Sequence, residues 1–203
     1  MTRWMSVLLV TTLIPSGAGA APPATAAEVE AAVKQVRAEF KAVSGLIAKR
    51  KLRRATVRIG GGQNPNVIDV HYQGGGERAY ERDPYACPFN LRMAKLELVQ
   101  PAVGPTGGSF YFDAAGKLVF ADIHGTDMWG TEGFMTHPPD RLRVYFHEEQ
   151  AFRLLHDGAK TETHDLPLMR DAARRKQALR TGEALARYGR RLRDALRVLA
   201  ACR

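Results

Sequence analysis

The sequence predicts an α+β fold, an antiparallel β-sheet packed against an N-terminal and a C-terminal α-helix. The sheet is a hairpin meander of about six to eight strands, with both helices over one of its faces. Three features point there: an apolar stripe of helical period near the start, a repeated hairpin phrase in the middle, and a second apolar stripe in an arginine-rich C-terminal stretch.

Val29, Val33, Val36, Phe40, Val43 and Ile47 stand 4, 3, 4, 3 and 4 residues apart, which keeps all of them on one side of an α-helix. Glu28 and Glu30 come first; Lys49, Arg50, Lys51, Arg53 and Arg54 come last, the order a helix dipole favours. The stripe is too short for a stable coiled coil, so a helix laid on a sheet is expected.

Thr56 to Ile59 reads as a strand stopped by Gly60-Gly61-Gly62, and Val67 to Tyr72 as a second, ended by Gly74-Gly75-Gly76. Leu91 to Val99 is a third. Its apolar phase slips from Leu91 and Met93 to Leu96 and Leu98, which predicts a bulge near Ala94 or Lys95.

FYFDAAGKLVFAD (110–122) and VYFHEEQAFRLLH (144–156) align without gaps, 34 residues apart. Each reads as a β-hairpin, bending at Asp113 to Gly116 and at His147 to Gln150. The alignment matches Phe112 with Phe146, Tyr111 with Tyr145, Leu118 with Phe152 and Phe120 with Leu154. Alternation then puts the two phenylalanines in the core and the two tyrosines on the other face. Trp129, Phe134 and Met135, in the Gly- and Pro-rich stretch between the hairpins, are expected to anchor that loop in the core.

The phrase Tyr-Phe-Asp-x-x-Gly-Lys-Leu-x-Phe, from Tyr111 to Phe120, followed by a second Tyr-Phe hairpin, resembles a loose set of exported bacterial proteins. In those, a leader and an N-terminal helix precede an antiparallel sheet of such hairpins. The resemblance covers residues 28–160. The second copy departs from it, with His147 for Asp and Gln150 for Gly. It implies a fold and brings no catalytic or binding residues with it.

A long helix is expected from about Pro167 to Ala201, with Leu185, Tyr188, Leu192, Leu196 and Leu199 as its apolar stripe. Residues 165–203 hold eleven bases against four acids, most of the chain's net charge of +9. Arg170, Arg174, Arg187, Arg190, Arg191 and Arg197 are candidates to meet an anionic envelope component. Another protein is the alternative partner. Nucleic acid is disfavoured, because no aromatic residues interleave with the arginines for base stacking.

Residues 1–20 read as a cleavable signal peptide: Arg3, an apolar run from Met5 to Ile14, a break at Pro15, and Gly17-Ala18-Gly19-Ala20. The run is half the length a membrane span needs, and no anchor is expected in the mature chain. Residues 21–27 then form a Pro/Ala tether and residues 28–203 one domain, delivered to the periplasm or the medium. In an oxidising compartment the two cysteines, Cys87 and Cys202, are expected to pair.

Catalytic signals are sparse. His124, Asp127 and His137 carry the residue types of a His/His/carboxylate site, without the tight spacing of a metal motif, and neither a metal nor a cofactor is expected. The Gly triplets precede no Lys-Ser/Thr helix start, so they do not form a phosphate cradle. The sequence therefore favours a non-catalytic binding or structural protein. The alternatives are a small hydrolase built on the 124–137 loop and an anionic-surface binder acting through the last helix.

Overall fold

The computed structural model describes residues 22–59, 66–74, 89–100, 104–125, 141–158 and 160–201. Helix α1 (Ala26–Ala48) leads into strands β1 (Arg53–Ile59), β2 (Asn66–Gly74), β3 (Phe89–Gln100), β4 (Gly104–Phe112), β5 (Leu118–His124), β6 (Arg141–His147), β7 (Gln150–Asp157) and β8 (Thr161–Asp165). One turn of 3-10 helix (Leu166–Leu168) then connects to α2 (Ala172–Ala201). The strands pair antiparallel in chain order, a single eight-stranded meander. The α+β arrangement read from the sequence is the one observed.

The two helices lie on opposite faces of the sheet, not on one face as expected. β5 makes this plain. Ala121 and Ile123 belong to a buried cluster with Leu185, Leu192 and Leu196 of α2, whereas Phe120 is buried with Val29, Val33 and Val36 of α1. The partner strand obeys the same rule: Leu142, Val144 and Phe146 face α2, and Tyr145 faces α1. Phe112 and Phe146 are fully buried on the α2 side, as the alternation predicts. The tyrosines face the other way, but that face is covered as well. An aromatic ladder runs beneath α1: Phe40 lies 4.8 Å from Tyr111 and 5.6 Å from Phe120, and Phe120 lies 5.0 Å from Tyr145. Further along the strands the α1 face turns polar. There Arg141 grips Asp122 through two hydrogen bonds of 2.7 and 2.5 Å, and Arg143 pairs with Asp157 at 2.5 Å.

Among the described residues three bulges bend the sheet. In β3 the irregular residue is Arg92, between Leu91 (opposite Tyr72) and Met93 (opposite His71). The expected bulge at Ala94 or Lys95 is therefore displaced: Ala94 and Leu96 already share the α2 face with Leu91. Arg92, turned out of phase, donates to the carbonyl of Phe112 and pairs with Glu39 of α1 at 3.6 Å. The other two bulges fall in the repeated hairpins, at Val119 and Phe152.

Those hairpins are equivalent, with a slip of one residue after the turn. Phe112 faces Leu118 while Phe146 faces Ala151; Tyr111 faces Phe120 while Tyr145 faces Arg153. Leu118 thus matches Ala151, not Phe152 as in the gapless alignment, and Phe120 matches Arg153. The cause is the turn. In the first hairpin Asp113 accepts from the amides of Ala115 and Lys117, both at 2.8 Å, and Gly116 takes a left-handed φ of 79°. The second copy has Gln150 where the first has Gly116, and it closes with a tighter turn in which Glu148 and Glu149 both adopt positive φ, 49° and 62°. Such φ values cost an L-residue roughly 1–2 kcal/mol each.

Helix α1 ends the same way. Arg50 sits at φ 53°, while its amide bonds Ile47 and that of Lys51 bonds Leu46, a Schellman closure that normally uses glycine. Arg50→Gly is expected to raise stability by about 1 kcal/mol, because glycine carries no Cβ to crowd the preceding carbonyl. Chemical denaturation reads the effect directly; a lower midpoint would mean that the Arg50 side chain contributes more than its backbone costs.

Helix α2 crosses β7, β5 and β3. Its inner face holds Ala178, Thr181, Leu185, Ala186, Leu192 and Leu196, all buried, and two glycines seven residues apart. A β-carbon on Gly182 would overlap that of Ala151, and one on Gly189 would lie 2.9 Å from Leu118. Ala151 and Leu118 are the matched positions of the two hairpins. Seven residues advance a helix by about 10.5 Å, close to the roughly 9.5 Å between alternate strands. One docking contact is therefore used twice, each time with glycine on the helix.

Candidate functional site

Steps of four residues along α2 place Arg175, Leu179, Glu183 and Arg187 on one stripe beside the buried face, with Ala186 and Arg190 next to it. This stripe lines a cavity of about 690 Å³. The opposite side is formed by the second hairpin, from Glu149 to Phe152, and by Leu166 and Pro167 before the helix. Pro22, Pro23 and Ala24, which lead into α1 around the other side of the sheet, complete the wall.

Each wall has a local reason to be where it is. The N-terminal segment is fixed by a capping box: Thr25 Oγ1 accepts from the Glu28 amide at 3.3 Å, and the Glu28 carboxylate accepts from the amides of Thr25 and Ala24 at 3.0 and 2.9 Å. The amides of Ala24 and Thr25, with the Thr25 hydroxyl, hold the Glu28 carboxyl below its ordinary range. The hairpin rim is fixed by the strained turn. Glu148 pairs with Lys117, and Glu149 reaches Arg193 at 3.3 Å and Arg190 at 3.6 Å. Arg193 also donates to the Gly116 carbonyl at 2.8 Å, which ties the first hairpin to the same helix. A backbone outlier held in place by charged partners at the edge of a cavity is a recurrent mark of a functional site.

The electrostatics are uneven. Glu149 is committed to Arg190 and Arg193. Arg175 and Arg187 form no ion pair among the described residues, and both are exposed at the cavity mouth. Glu183, one turn before Arg187, is the nearest offset along the helix.

Of the arginines singled out from sequence, the structure brings Arg187 and Arg190 to this cavity. Arg174 is turned to Glu162, 2.6 Å away, Arg170 is exposed ahead of the helix, and Arg191 is exposed on it. The helix runs through Arg197, whose side chain is not described. Arg175, Arg193 and Glu149 belong to the site and were not singled out. The four-residue steps through 175, 179, 183 and 187 were the available signal.

His124 ends β5, exposed; its ring covers Gly107, where a β-carbon would come within 2.8 Å of it. Asp127 and His137, both cysteines, the loop anchors Trp129, Phe134 and Met135, and the expected leader all lie outside the described residues. Among the described residues no group of three or more His, Cys, Asp or Glu side chains is placed to hold a metal ion. His164 is buried in β8, beside Arg174 and Glu162; desolvation first, and then the Arg174 charge, lower its pKa. Burial likewise raises the hydroxyl pKa of Tyr188, whose ring packs 5.4 Å from that of Phe110. Among the described residues no helix is long and apolar enough to cross a membrane.

A second recess, of about 210 Å³, opens on the other face between α1 and the sheet, lined by Arg37, Phe40, Phe120, Asp122, Arg141 and Tyr145 among others. Its arginine Arg141 is held by Asp122. The cavity on α2 is larger and keeps two cations without ion-pair partners among the described residues, so it is the better candidate. Neither a family model, nor a curated protein, nor a solved structure matches this chain.

Proposed function

We propose that this is a non-catalytic binding protein of the cell envelope or secreted fraction, and that it holds a small organic anion in the cavity between α2 and the second hairpin. The observation that carries the reading is the pair Arg175 and Arg187, without ion-pair partners among the described residues, at the mouth of a cavity of about 690 Å³. That volume lies in the range of ordinary small-molecule sites. Charge-assisted hydrogen bonds to arginine contribute roughly 1.5–3 kcal/mol each, so two arginines are enough to select an anion. Calorimetric titration with hexanoate is the test. Wild-type protein is expected to bind; Arg175→Ala and Arg187→Ala are each expected to weaken binding about tenfold or more. Equal affinity in all three would place the anion elsewhere.

The same reading has the chain exported through residues 1–20 and closed by a Cys87–Cys202 disulfide. β3 begins two residues after Cys87, and α2 runs to the residue before Cys202. Leu91 of β3 and Leu196 of α2 share one buried cluster. A loop of this length is stabilised by up to about 4.7 kcal/mol in the chain-entropy picture. Thiol labelling of the exported protein without reductant is expected to find neither cysteine reactive; two reactive thiols would remove the bridge.

A further inference from the structure

We infer that the ligand of this cavity is a monoanionic amphiphile: one carboxylate or similar head carrying an unbranched apolar chain. This rests on the reading of the cavity as the binding site.

Polarity in the cavity is sorted by depth. Its buried lining residues are all apolar: Pro23, Phe152, Leu166 and Ala186. Arg175, Arg187 and Glu183 are exposed, and Arg190 is half-buried. An anion at the arginines therefore has a greasy floor behind it, not a second polar shell. A carboxylate alone, a few atoms in size, would leave most of the roughly 690 Å³ to water against apolar walls. A polar multivalent ligand would leave its other charges facing Phe152 and Leu166, where none of the buried lining residues is a cation to receive them. A chain fills that space and gains from its burial.

Charge sets the head. The charged lining residues are Arg175, Arg187 and Arg190 against Glu149 and Glu183. Three cations against two anions leave a single positive charge to neutralise. Leu179, one turn beyond Arg175 on the stripe and more than a third exposed, stands where a chain would pass from the head toward the floor.

The test is a calorimetric series of butanoate, hexanoate, octanoate and decanoate, all below their micellar range, against the chain as purified from cells. A fully buried methylene is worth about a factor of four in affinity, and a half-open site less. Affinity is expected to rise between about twofold and fourfold per methylene. Octylamine at the same pH is expected not to bind, and octanedioate to bind at least about tenfold more weakly than octanoate. Leu179→Gln, an uncharged change at an exposed position, is expected to flatten the chain-length dependence, lowering octanoate affinity more than butanoate affinity. A flat series in the wild type would overturn the amphiphile and leave the anion site standing. Absence of binding by every member would overturn both. Retention on phosphatidylglycerol vesicles without binding of any free carboxylate would assign the arginines to a membrane surface, and would also overturn the inference.

Discussion

Truncation of Phe112 or Phe146 to alanine is expected to cost about 3–5 kcal/mol at each site, the range for a large aromatic removed from a rigid core. Both rings are buried, at 0% and 1% exposure, in the cluster between the sheet and α2. Each also precedes a hairpin turn and faces the residue that docks on a helical glycine: Leu118 against Gly189, and Ala151 against Gly182. A cavity there cannot be closed by a small helix shift, because the glycines already hold α2 at its nearest approach. Similar losses at the two sites are expected, since the positions are equivalent. Urea unfolding of each variant measures this. A loss below about 1 kcal/mol at both would place them outside any packed core.

Arg153→Met is expected to cost about 3 kcal/mol. Arg153 is 8% exposed and occupies the place that Phe120 holds in the first hairpin. It makes a two-pronged contact with Asp165 at 2.5 and 3.0 Å and reaches Glu30 of α1 at 2.5 Å. The Asp165 hydrogen bond, against the cost of burial, pushes the guanidinium pKa further up. One side chain thus joins β7, β8 and α1. Removal of the cation leaves Asp165, three-quarters buried, without its partner; a buried pair broken on one side typically loses about 3–5 kcal/mol. Glu30 is mostly exposed and adds little. The paired change Arg153→Met with Asp165→Leu is expected to recover much of the loss, since apolar replacements of a whole buried pair are often neutral. Thermal or chemical denaturation of the cycle decides. A double variant as unstable as Arg153→Met alone would mean that Arg153 acts through its packing and not its charge.

Much of the architecture was legible because the pattern was strong. The valine stripe of α1 and the leucines of α2 each bury one coherent face, and the Tyr-Phe phrases mark the hairpin strands. What was missed has physical causes. β8 was not foreseen because polar and charged residues fill it: of Thr161–Asp165 only His164 is buried, so no alternation marks it. The second covered face was written in Leu118-Val119-Phe120-Ala121 and in Val144-Tyr145-Phe146. Such unbroken apolar runs signal strands buried on both sides, but alternation was read through them. The gapless repeat hid a one-residue slip, because a bulge and a shorter turn leave no gap in the sequence. The cavity was the least legible feature. Its walls come from residues 22–24, 149–152 and 166–190, remote in the chain, and only the arginines of α2 hinted at it.

The most direct measurement is an amide chemical-shift titration of the isotope-labelled protein with octanoate. If the cavity beside α2 is the ligand site, the largest saturable shifts fall at Ala151, Phe152, Leu166, Leu179 and Ala186, and they vanish in Arg175→Ala/Arg187→Ala. Shifts centred instead on Phe40, Phe120 and Arg141, across the sheet, or no saturable shifts at all, would contradict it.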